Sequence, residues 1–97
     1  MTVNALEKLE EFYPAIINMM PNEFDSHAFI LKLAQTHQKH YVNALAEYAN
    51  DDRPFQTVHG QIAKRLHNFP HLVQKTGETT SDDIFLQKNS AASWKKI

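Results

Sequence analysis

Six histidines stand out in a chain of 97 residues: His27, His37, His40, His59, His67 and His71. His37 and His40 are three apart and His67 and His71 four apart, spacings that can set two imidazoles on one side of a helix. Zinc takes three or four such ligands, with hydrogen-bond acceptors behind them. No HExxH or Glu-x-x-His element completes a set, and Pro70 interrupts the second pair. No metal is therefore expected. The histidines read as solvent-exposed or capping side chains, with His59 at the edge of an apolar stripe. Nucleophilic chemistry has as little to build on. The chain has no cysteine, which excludes a disulfide scaffold, cysteine-ligated zinc and a thiol nucleophile. Ser26, Ser81, Ser90 and Ser93 lie in no G-x-S-x-G elbow. The adjacent pairs Asp51-Asp52 and Asp82-Asp83 point in different directions on any regular element and read as caps or turns, not as an acid/base dyad. No glycine-rich phosphate loop is present. The expectation is a non-catalytic binding domain without a cofactor, not an enzyme.

The remaining chemistry is charge. The net charge is only −1, but it is unevenly spread. Residues 1–52 hold eight acids against three lysines, a net of −5, and residues 53–97 hold seven Lys/Arg against three acids, a net of +4. Such a sign change can mark a basic face or simply halves that attract each other. Within the basic half, Ile62-Ala63-Lys64-Arg65-Leu66 resembles the first helix of helix-turn-helix motifs, where an Ile-Ala pair is followed by a leucine. Val73, eleven residues after Ile62, matches the buried valine of the second helix. The resemblance covers about twelve residues. His67 replaces the glycine usual in the turn, and Pro70 falls where the second helix should be starting or running. A winged-helix variant fits better: three helices followed by a β-hairpin wing over Leu72–Leu86. That resemblance implies that the organising helix is the recognition helix, its exposed polar residues facing the major groove of DNA while Lys75 and its neighbours touch phosphate. The nucleic-acid-binding residues it implies are Gln56, Thr57, Gln61, Lys64, Arg65 and Lys75. The plainer reading of the same residues is an ordinary amphipathic helix.

These side chains would be carried by the segment Pro54–Pro70, around which the rest of the chain is organised. Phe55, Val58, Ile62, Leu66 and Phe69 recur at helical spacing, and Ala63 widens the stripe. Pro54 suits the first helical position, and Asp51 and Asp52 stand before it as candidate caps. The residue before Pro70 is driven out of the α region, which closes the helix.

Upstream, Thr2 or Asn4 can cap a first helix. Leu6, Leu9, Tyr13, Ile16, Ile17 and Met20 keep one face through Pro14, read most simply as one helix kinked near Pro14, although two shorter helices would also serve. Asp25 or Ser26 opens a second helix, with Phe24 as a hydrophobic staple. An unbroken helix from Ser26 to Ala49 would be about 36 Å long, against a radius of gyration of roughly 13 Å for a chain of this length. A break near Gln35–Gln38 is therefore expected. Beyond Pro70, residues 71–76 and 82–87 form the strands of a hairpin with Gly77–Ser81 as its turn, or Ser81 caps a short helix instead. Trp94 is expected to dock on the core.

The fold class that follows is mainly α: about four helices around one core in a single small globular domain, residues 1–97, with a small winged-helix-like C-terminal hairpin. No secretory signal or membrane span is legible, so a cytoplasmic location with no membrane partner is the default. The partner expected first is DNA, bound by a winged-helix-like regulator. The alternative is a helical protein-interaction module, self-associating as a homodimer, suggested by Phe12, Tyr13, Phe24, Phe29, Tyr41, Tyr48, Phe85 and Trp94 in so small a domain.

Overall fold

Helix starts and stops follow the side chains that can satisfy free backbone groups. In the computed structural model, which describes residues 4–97, Asn4 caps α1 (Ala5–Glu10) by accepting from the Glu7 N–H at 2.8 Å. Thr2, the other candidate cap, lies outside the described residues. The backbone leaves the helix at Glu11-Phe12, and Pro14 then sits in the first turn of α2 (Tyr13–Met19), where it needs no donor. The two-helix reading of this segment is thus the correct one. Asp25 caps α3 (Ser26–Thr36) through the Ala28 N–H at 2.8 Å. His37 breaks the helical path, and α4 (Gln38–Glu47) follows, within the stretch where compactness required a break. The molecule has a radius of gyration of 12.9 Å.

The organising helix α5 runs Pro54–Arg65 and tightens into a 3₁₀ turn at Leu66–Asn68, with Phe69 outside it. Val58, Ile62 and Leu66 are fully buried. Asp51 does not cap the helix end directly; it accepts from the Arg53 N–H at 2.9 Å and the Thr57 hydroxyl at 3.0 Å. Tyr13 joins α2 to α5: its buried hydroxyl donates to the Ile62 carbonyl at 2.7 Å, and its ring meets Phe29 edge-on at 4.8 Å. Burial pushes its phenol far above the ordinary tyrosine range.

The chain is mixed α/β rather than purely helical, so the expected mainly α class holds in part. Among the described residues, five α-helices accompany a three-stranded antiparallel sheet of order β1-β3-β2: β1 Glu23–Asp25, β2 Val73–Asp82 and β3 Lys88–Lys96. The hairpin exists, but its register is not the one expected. Gly77 is inside β2, not in the turn: it follows a bulge between Lys75 and Gly77 and sits at φ 155°, where a side chain would be strained. The turn is formed by Asp83–Gln87, and the presumed tail is the central strand. Trp94 in that strand is 2% exposed, pairs with Phe24 of β1, and donates its indole N–H to the buried Ser26 hydroxyl at 3.0 Å. The docking expected of the tryptophan is therefore achieved by a strand. Lys96 adds a tie by donating to the Met20 carbonyl at 2.7 Å, beside the negative end of α2.

At the hairpin tip, the Asp83 carboxylate accepts from the backbone N–H groups of Phe85 (2.9 Å) and Gln87 (3.1 Å) and from the Asn89 amide. Those bonds, above all the one from Gln87, hold its pKa below the usual carboxylate value. Leu86 takes the left-handed conformation, φ 61°, while 82% exposed. The side chain gains no packing from that strain. Leu86→Asn, which tolerates the same backbone region, is expected to stabilise the protein by about 0.5–1 kcal/mol in urea unfolding. Equal or lower stability would mean that Leu86 makes a compensating contact.

Candidate nucleic-acid interface

Helix α5 divides its side chains among three surroundings. One stripe is core. Arg65, at one flank, points back to α1: its guanidinium lies 2.8 Å from the Glu10 carboxylate, which also accepts from Asn68 at 3.2 Å. Both partners are mostly covered, and the buried Arg65 Nε has no partner among the described residues. The third face carries Gln56, Gly60 and Lys64, all exposed. This face is the floor of a groove of about 640 Å³.

One wall comes from the first turn of α3, with Ser26, His27 and Ile30. The other comes from the hairpin, with Asp83, Phe85, Asn89 and Ser90. Two aromatic contacts close the ends. Phe85 meets Phe55 at 5.4 Å over the first turn of α5, and His67 meets Trp94 at 5.0 Å beyond its last. The hairpin is pinned to α3 by the 2.7 Å bond between His27 Nδ1 and the Ser81 hydroxyl.

Of the six residues implied by the winged-helix resemblance, Gln56, Thr57, Gln61 and Lys64 line this groove together. Thr57 is committed to Asp51. Arg65 and Lys75 stand apart: the first is held by Glu10, and the second lies 3.9 Å from Glu78 on the hairpin, outside the groove. Lys64 has no ion-pair partner among the described residues. The segment Ile62–Val73 runs from α5 into β2, with Val73 buried as the first residue of the strand, so it does not form two helices joined by a turn.

Sequence reasoning missed His27, Asp83, Phe85, Asn89 and Ser90. The Asp82-Asp83 pair was a signal, since it reads as a turn. Placing the turn there would have brought Phe85 and Asn89 to the groove. The histidines do not assemble. His37 stacks on Phe12 at 3.9 Å and His40 flanks the same ring at 5.1 Å. Among the described residues no three His, Cys, Asp or Glu side chains are grouped to hold a metal.

His59, on the groove edge, is hydrogen-bonded through Nε2 to the Tyr41 hydroxyl. Burial pushes the Tyr41 phenol up to about 12, so it keeps its proton near neutral pH. Burial also lowers the His59 pKa, and nearby His27 adds to that, against the opposing pull of Asp83.

Comparison with known proteins yields no matching family model, no similar curated protein and no similar solved structure. No helix among the described residues is long and apolar enough to cross a membrane.

Two outcomes follow. Removing the tether with Arg65→Met should cost about 1–3 kcal/mol of stability, whereas Lys64→Met should change it by no more than about 0.5 kcal/mol. Equal effects in urea unfolding would show that the Glu10 pair is not structural. His59 is held neutral in the fold, so its contribution is complete above the unfolded value of 6.5 and is lost as pH falls below it. The urea midpoint should drop from pH 7.5 to pH 5, and His59→Gln should make that drop shallower. An unchanged pH dependence in the variant would remove His59 as its source.

Proposed function

We propose that this chain is a winged-helix-like nucleic-acid-binding domain whose contact surface is α5 together with the β2–β3 hairpin. The observation that carries the reading is the juxtaposition of the exposed α5 face with that hairpin. The order of elements supports it: a helical segment (α1 and α2), then β1, then helices ending in α5, then a hairpin whose second strand inserts between β1 and β2. The winged-helix resemblance implies helices followed by a hairpin, which the passage from α5 into β2 and β3 supports; β1, and α4 packed against α1, are additional to it. Gln56 and Gln61 offer paired amide donors and acceptors suited to base edges, and Lys64 supplies a cation for phosphate. Arg65 and Lys75 are not assigned to this surface.

The protein-interaction reading draws on a different observation. Of the eight aromatics that suggested it, Tyr13, Phe24, Phe29 and Trp94 are buried, and only Phe85 is exposed. Beside Phe85, what a protein partner could meet is the exposure of Met19, Leu31, Val42, Leu86 and Ile97.

Labelled random oligonucleotides, both duplex and single-stranded, titrated with the protein at low and near-physiological salt test the proposal. Binding should weaken as salt rises, and Lys64→Glu should weaken it further and reduce the salt slope by about one phosphate contact. Absence of binding to every oligonucleotide at low salt would sink the reading and leave the protein-interaction alternative.

A further inference from the structure

Helix α5 is recessed, and that bears on which form of nucleic acid it can meet. An α-helix with its side chains is about 10–12 Å across, and the major groove of B-DNA is about 12 Å wide. A helix reads that groove only if its exposed face projects. Here Gln56, Gly60 and Lys64 form the bottom of a trough, with Asp83, Phe85 and Asn89 of the hairpin lining the same space. The hairpin also touches α5 at one end and its following 3₁₀ turn at the other, through Phe85 on Phe55 and Trp94 on His67. The turn and β3 of the hairpin line the trough beside this face, so α5 is flanked on that side and does not project as a helix docked in a duplex groove must. A volume of about 640 Å³ lies in the range of sites that enclose one small molecule, which suits about one or two nucleotides.

The lining has the chemistry of an unpaired strand's partners. Phe85 is 48% exposed and offers a ring face at the rim. The imidazoles of His59, at the edge, and His67, at the end beside Trp94, line the same trough. Stacking on such rings tolerates any base. Gln56 and Gln61 can meet a base edge that pairing would otherwise occupy, and the Lys64 ammonium is available to a phosphate. The one carboxylate in the trough, Asp83, is engaged by the Phe85 and Gln87 backbone and by Asn89, so its lone pairs are turned to the hairpin's own donors.

Resting on the nucleic-acid reading above, we infer that the trough between α5 and the hairpin accepts single-stranded nucleic acid, with a base stacked on Phe85 and a phosphate at Lys64. Duplex is not its preferred ligand.

The test is fluorescence anisotropy at low salt with labelled 12-nucleotide oligo(dT), oligo(U) and a duplex of the same length. At least one single strand is expected to bind tenfold or more tighter than the duplex, and the dT and U arms identify whether the sugar is deoxyribose or ribose. Phe85→Ala should weaken single-strand binding at least fivefold, the low end for loss of one stacked base. Phe85→Trp, which keeps a larger stacking face, should retain it. Thermal unfolding of each variant shows whether the hairpin is intact, and Lys64→Glu reports on the same trough from the opposite end. Duplex binding equal to or tighter than single-strand binding overturns this inference while the nucleic-acid reading survives. Single-strand preference indifferent to both Phe85→Ala and Lys64→Glu also overturns it, because the strand then lies elsewhere. No binding to any of the three removes the nucleic-acid reading itself.

Discussion

The bond from the Trp94 indole to the Ser26 hydroxyl is the constraint on which the groove depends. Both groups are buried, so neither can turn to water if the other is lost, and a stranded donor or acceptor of this kind costs about 1–3 kcal/mol. Ser26 opens α3 and Trp94 lies in the central strand. One contact thus fixes the sheet against the helices. The Trp94 ring also meets His67 beyond α5, which sets how far the hairpin stands from the organising helix. The second anchor, His27 to Ser81, acts at the other end of β2. Between them the wall of the groove is held at two points by side chains from a single helical turn.

Adjacent residues acquire different physical roles through helix geometry alone. Lys64 and Arg65 are neighbours in sequence and about 100° apart around the axis. The first opens into the groove, and the second reaches α1 to pair with Glu10. A basic dipeptide that looks like one charged feature is therefore half structural. The same logic applies to Asp83, whose carboxylate is spent on shaping the turn that presents Phe85.

The helices were legible because their determinants are local. Asn4, Asp25 and Pro54 mark helix starts by their own chemistry, and the buried stripe Val58, Ile62, Leu66 is a spacing within one element. The break at His37 followed from chain length against globule size. Of the sheet the hairpin was legible, but its register and β1 were not, for equally physical reasons. In β2 only Val73 is buried, so the alternation that identifies a half-buried strand is missing. Gly77 signals a turn in sequence but serves a bulge in the structure. β1 is three residues long and exists only because β3 pairs with it. The site divided along the same line. Gln56, Gln61 and Lys64 could be placed on one helix face, whereas the hairpin wall and the Arg65–Glu10 pair depend on contacts 27 to 68 residues apart in the chain.

The central strand β3 has a consequence for biosynthesis. Both of its neighbours, β1 and β2, precede it in the chain, so a ribosome finishes them before the strand that joins them exists. Until then Phe24 has no Trp94 to cover it, and the β2 edge offers its backbone groups to any passing strand. The helices can collapse on local signals as they emerge, but the sheet must wait and close in one late step across long sequence separations, the class of event that slows folding.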